Sequence, residues 1–306
     1  MKTSVYIMAV TLLSCALLLQ GCEHKDLCYD HSHMTEIEIR FEWPRSSKAE
    51  SATMVVHFFT PDGRHFRRYE FPSLDGGRVK VEAGSYKLLF HNGEMENVNE
   101  AGNNYDEYGL ITSSVSLLAP MGRTSEAPRP DHAASEPVRS VPQSVWAGRM
   151  ENFEVKKGVG GQVVTLKPRM ATALYTIEIR NVENMTNDVD ISGAITGMAE
   201  GYNVSSEAPA GVDVTFPLVL ERPDGHTLLA RFASFGHCAN EAKRHTFSVY
   251  TSNKVYHHFD ITQQLHGAED PCNVSIVIEG LKLPADGITP SVNDWGNVVD
   301  KEIDMT

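Results

Sequence analysis

Glu36-Ile37-Glu38-Ile39-Arg40-Phe41-Glu42-Trp43 decides the fold class. Ile37, Ile39, Phe41 and Trp43 point one way and the charged residues between them point the other, the two-residue period of a half-buried strand. Working outward, Met54–Thr60 reads as a second strand, and Pro61-Asp62-Gly63-Arg64 as a turn. There proline presets one dihedral and glycine accepts a positive φ. His65–Phe71 returns, Asp75-Gly76-Gly77 turns again into Arg78–Glu82, and Tyr86–His91 follows. Strands at this spacing, punctuated by Gly and Pro, predict a β-sandwich.

Further along, Asn92–Tyr108 lacks periodicity and reads as a loop, and Ile111–Leu118 as a strand. Pro120–Gln143 carries Pro128, Pro130, Pro137 and Pro142 among Ser, Ala and Arg. It reads as a long mobile excursion, because so polar a segment has little apolar surface to bury. Val145-Trp146-Ala147, with Phe153 and Val155 behind, closes a first set of strands. A second set starts near Gln162, after the break Lys157-Gly158-Val159-Gly160-Gly161, and takes in 163–166, 173–180, 212–220, 227–235, a hairpin 246–261 and 272–281. Asp190–Tyr202 reads as a Gly-rich loop with a short strand or helix. Pro61-Asp62-Gly63 in one half and Pro223-Asp224-Gly225 in the other suggest two sandwiches of similar design. The expected organisation is all-β, with domains at 35–160 and 161–284 and an acidic tail at 285–306.

The first residues set the compartment. Met1-Lys2 gives a short positive start, and Val5–Leu19 is an apolar run of signal-peptide length, short for a membrane span. Leu19-Gln20-Gly21-Cys22 then reads as a lipobox. The expectation is a signal peptide at 1–21, a lipidated Cys22 and a tether at 22–34. A net charge of −13 argues against nucleic-acid partners and against binding anionic lipid by charge. Of the remaining cysteines outside the leader, Cys238 and Cys272 share one half and are a candidate disulfide, the alternative being two buried thiols, with Cys28 unpaired.

Chemistry is sparse. Cys28, His31 and His33, with His24 nearby, offer soft and imidazole donors, but their spacing matches no closed metal site, so no metal is expected there. His257 and His258 are strand neighbours on opposite faces and cannot readily share an ion. Gly236-His237-Cys238 is the nearest approach to a reactive Cys–His pair, yet neighbours on a strand point apart. No Gly-x-Ser-x-Gly elbow and no phosphate-cradling glycine loop opens a helix. The expectation is a protein without catalysis or cofactor.

Several stretches carry a resemblance. CEHKDLCYDHSH (22–33), VKVEAGSYKLLFHN (79–92), FDITQQL (259–265) with the strand from Cys272, and VNDWGNVVDKEI (292–303) resemble fimbrium anchoring-subunit lipoproteins of gut Bacteroidales. That resemblance implies two transthyretin-like β-sandwiches behind a lipid anchor in the outer membrane. It implies a surface role as a fimbrial anchor, assembly or accessory subunit. The charged Glu23, Lys25 and Asp26 resemble the surface-export signal of such lipoproteins. The partners implied are fimbrial subunits or other cell-surface proteins joined by strand addition, in which an exposed sheet edge accepts a partner's strand. The alternative is a surface glycan- or protein-binding lipoprotein in nutrient capture, for which Trp146 and Trp295 are the candidate aromatic platform.

Overall fold

The alternating stretch forms β1 (Met34–Phe41), with Ile37, Ile39 and Phe41 buried and Glu36 and Arg40 exposed. A computed structural model describes residues 34–44, 52–284 and 295–297. β1 is the middle of a three-stranded sheet, antiparallel to β4 (Gly76–Glu82) and parallel to β9 (Gln162–Leu166). Facing it is a sheet in the order β10 (Arg169–Met170), β8 (Trp146–Val155), β5 (Gly84–Asn92), β2 (Met54–Phe59), β3 (His65–Phe71). Between the two lie Ile37, Ile39 and Phe41 of β1, Val56 and Phe58 of β2, Leu88 and Phe90 of β5, and Phe153 of β8. Each such side chain contributes about 1.5–3 kcal/mol by leaving water.

The second sandwich repeats the plan. β11 (Ala173–Glu183) is antiparallel to β14 (Leu228–Ser234) and parallel to β17 (Asn273–Lys282), as β1 is to β4 and β9. Across the core, β16 (Val255–Asp260), β15 (Thr246–Thr251), β12 (Ile191–Asn203) and β13 (Ala208–Val219) lie side by side in the order of β8, β5, β2 and β3. Ile177, Ile179, Phe216, Leu228, Phe247, Val249, Ile276 and Ile278 fill the core. A short helix, α1 (Thr262–His266), links β16 to β17.

The halves are therefore alike, but not through the shared turn. Pro61-Asp62-Gly63 joins β2 to β3, whereas Pro223-Asp224-Gly225 joins β13 to β14, a non-equivalent position. The boundary also differs from the expected 160/161. β9 and β10 lie beyond it yet belong to the first sandwich, so the passage to the second comes just before β11. Moreover, 92–108 is not all loop. β6 (Val98–Ala101) and β7 (Gly109–Thr112) form a hairpin whose β7 pairs with the end of β12, adding two strands from the first half to a sheet of the second. Phe59, Leu89, Tyr105, Tyr108, Leu110, Val145, Val204 and Phe235 make one apolar cluster where the sandwiches meet.

Two further expectations give way. The stretch 190–202, expected as a loop, is taken up by the central strand β12 (Ile191–Asn203), buried along nearly its whole length, so no alternation betrays it. Its glycines are packing residues: Gly197, at φ +73 beside a β-bulge, lies so close to the His245 ring that a Cβ there would come within 2.6 Å of it. The excursion 120–143 is packed against the second sandwich. Ala133 is fully buried, and the carboxylate of Glu136, 6% exposed, accepts from the Gly197 N–H (3.1 Å) and the Thr215 hydroxyl (2.9 Å). Lys243 pairs with it at 3.1 Å. Thr215 N–H donates to the Pro137 carbonyl and Arg139 N–H to the Thr215 carbonyl, so 137–139 covers the middle of β13. A few polar anchors thus fix a segment whose composition lacks a core of its own.

Candidate functional site

An all-β protein that joins others through backbone pairing needs an unpaired edge. Some edges of this fold are covered. The outer edge of β14 bridges Glu221, and 137–139 covers β13. β3, β4 and β6 end their sheets with no strand beyond them among the described residues, and the first sandwich also opens at the side where its two sheets part. There β8 pairs with β10 only at Trp146 and Ala147, and β9 has β1 on one side and no strand on the other among the described residues. Between β8 and β9 runs a groove of about 330 Å³, lined by Phe90, Arg149, Met150, Thr165, Lys167 and Arg169. Val163 on β9 is 45% exposed.

Two clusters of histidines lie elsewhere, and the sequence reading found neither as a group. The first sits at the junction of the sandwiches. His57 on β2 and His91 on β5 are a diagonal step apart on the face of their sheet turned away from its own core, since His57 is opposite Leu89 and His91 opposite Val55. They are 3% and 0% exposed. The hairpin from the other sheet lays Glu100 of β6 and Tyr108 across them. Tyr108 Oη is 2.9 Å from both Nε2 atoms, and Glu100 Oε2 is 3.3 Å from His57 Nε2. One donor atom each of His57, His91 and Glu100 lies within 4.8 Å of the others. His65 Nε2 stands 3.0 Å from His57 Nδ1, and Arg68 donates to Glu100 Oε1 at 3.1 Å. Burial pushes His91 down to about 4 and keeps its ring neutral. For Glu100 burial acts upward, but the hydrogen bond from His57, the neighbouring His91 and Arg68 outweigh it and hold the carboxyl well below the usual range.

The second cluster gathers His237, His245 and His266, whose ring centroids are 4.9–5.6 Å apart. Tyr175 Oη is 3.0 Å from His237 Nδ1, and the Nε2 atoms of His245 and His266 are buried without a hydrogen-bond partner. Burial, then the two neighbouring rings, lower His237 to about 4. Of the three, the sequence marks only His237, through its neighbour Cys238. The structure gives it a different set of neighbours, because it lies in the turn after β14 and bridges to Met198 of β12.

The other expected residues fall as follows. Cys22, with His24, Cys28, His31 and His33, lies outside the described residues. Cys238 and Cys272, the candidate disulfide, are free thiols. They are held by opposite sheets: the Cys238 N–H donates to Gly197 on β12, whereas the Cys272 carbonyl accepts from Leu174 on β11. His257 and His258 share β16; His258 Nδ1 reaches Ser248 Oγ at 2.8 Å and His257 Nε2 is buried apart from it. Trp146 is buried edge-on against Trp43, and Trp295 packs against Tyr250 and Tyr256, so the two tryptophans make no common platform.

A family model described as "Domain of unknown function (DUF5119)" matches residues 21–219. A protein of Bacteroides ovatus provisionally named fimbrium anchoring subunit Fim4B is 21% identical over 228 residues, 73% of this chain. The chain spans 62% of that relative's length. Among solved structures, one provisionally described as an adhesin from Bacteroides ovatus superposes with a TM-score of 0.61 at 14% identity, over 87% of this chain and 99% of that one. The fimbrial anchor protein Mfa2 from Porphyromonas gingivalis superposes with a TM-score of 0.52 at 13% identity, over 80% and 90%. These similarities establish the shared double-sandwich fold.

Proposed function

The chain belongs to the family described as Domain of unknown function (DUF5119), and we propose that it is a fimbrial anchor, assembly or accessory subunit at the cell surface. The observation that carries this reading is the relationship to the fimbrium anchoring subunit across 73% of the chain. The lipobox ending at Cys22 supports attachment to the outer membrane by lipid. The role is structural, not catalytic. Affinity comes from main-chain pairing, which needs no conspicuous side-chain site.

The groove between β8 and β9 is the place for that pairing. A donor strand laid there would meet the free edges of β8 and β9, beside a lining in which Arg149 is paired with Glu151 and Lys167 with Glu42, so main-chain pairing and not charge supplies the affinity. A photo-crosslinking residue at Val163 tests it in cells: capture of a fimbrial subunit is expected. Surface labelling of intact cells tests the location. A protein shielded from external protease, or one that co-purifies only with nutrient transporters and binds glycan, would overturn the proposal.

A further inference from the structure

We propose that His57, His91 and Glu100 form a binding site for a single divalent transition-metal ion of the zinc class, which staples the two sandwiches together. Two imidazoles and a carboxylate are a donor set suited to zinc and its neighbours, and poor for calcium or magnesium, which prefer all-oxygen shells. The three donor atoms already lie within 4.8 Å of one another. Bonds of about 2.1 Å to one ion need donors roughly 3.3 Å apart, and the Glu100 oxygens already stand 3.3 Å from His57 Nε2 and 3.6 Å from His91 Nε2.

The surroundings are those of a prepared site. His91 Nδ1 donates to the Asn92 carbonyl at 2.8 Å, which leaves the lone pair on Nε2, the atom facing the cluster. His57 Nδ1 is engaged by His65, and its Nε2 faces the same point. Arg68 holds Glu100 from behind, and shares its charge with Glu70 at 2.9 Å. Tyr108 Oη lies 2.9 Å from both Nε2 atoms, near enough to serve as a fourth, oxygen donor once an ion displaces the proton that His57 Nε2 gives to Glu100. The histidines come from adjacent strands of one sheet, so their spacing is fixed by backbone register.

The placement gives the ion a task. His57 and His91 belong to the first sandwich, whereas Glu100 belongs to a hairpin paired with β12 of the second. A metal bond across that seam resists separation of the halves, and would do so in a protein that bears load between a membrane and a filament. Without an ion, the same atoms form a hydrogen-bond chain through Tyr108, and metal titration distinguishes the two arrangements.

The test is titration of the purified full chain, freed of metal, with zinc chloride against a chromophoric chelator. One tight equivalent is expected. His91→Gln and Glu100→Gln should each weaken it by about 100-fold, as loss of a ligand exceeds the 10–100-fold effect of an outer-shell partner. A triple change of Cys28, His31 and His33, and His245→Gln in the second cluster, should leave it intact. Zinc-edge X-ray absorption on the unmodified protein should show two imidazoles with oxygen donors, a reading independent of how the variants fold. Absence of a tight equivalent, affinity unchanged by both His91→Gln and Glu100→Gln, or a sulfur-containing shell would overturn the proposal.

Discussion

The side-chain amide of Gln264 is paired with the backbone of Val277: its Nε2 donates to the carbonyl and its Oε1 accepts the N–H, each at 2.9 Å. Gln264, in the middle of α1, thereby covers the outer edge of β17 at Val277. Gln264→Leu leaves both backbone groups without that partner and should cost about 1–3 kcal/mol. Gln264→Glu keeps the acceptor but loses the donor and should also destabilise. Urea unfolding of both variants measures this; unchanged midpoints would show the pairing to be incidental.

Glu136 anchors the 120–143 excursion to β12 and β13. Glu136→Ala strands the Gly197 N–H and frees the segment, at a cost of about 2–3 kcal/mol, reduced because Lys243 keeps Asp213 as a partner at 2.9 Å. Limited trypsin digestion gives the sharper reading. Arg129 donates to the carbonyls of Ala133, Ala134 and Glu136 and Arg139 pairs with Glu200, so the wild type should resist cleavage at both while the variant is cut there early.

Acid should loosen the second sandwich. His237 sits near 4 in the folded chain against an ordinary 6.5, so the unfolded chain takes up its proton first. Stability from keeping this ring neutral is complete above about pH 6.5 and is lost as pH falls toward 4. His245 is lowered in the same direction by burial and adds to the effect. Urea midpoints at pH 7.5 and 4.5 should fall for the wild type, and less for His237→Gln. Equal falls would place the acid sensitivity elsewhere.

Cys22→Ser should abolish incorporation of labelled fatty acid and move the protein out of the membrane fraction. Retained label, or unchanged fractionation, would remove the lipid anchor from the account.

What could be read in the sequence was set by faces. β1 buries one side only, so alternation exposed it. β2 is buried at every position, and Met-Val-Val-His-Phe-Phe carries the signal that its second face must also be covered. His57 in that run was legible as a buried polar residue needing partners, but Glu100 and Tyr108 are brought to it by a hairpin that pairs with residues about a hundred positions later. β12 hid for the opposite reason: glycines lowered its strand signal while tertiary packing against Phe247 and His245 required them. Residues 237, 245 and 266 lie in a turn, before a strand and in a five-residue helix, with no common period to unite them.

The chain's route between the sandwiches dictates an order of folding. It leaves the first half after β5 to build β6 and β7, returns for β8, β9 and β10, and only then supplies β12, the strand on which β7 depends. A chain emerging from an exporter N-terminus first would hold this hairpin without its partner until most of the protein had crossed. A truncation at residue 160 would lack β9 from one sandwich while leaving an orphaned hairpin of the other exposed to aggregation.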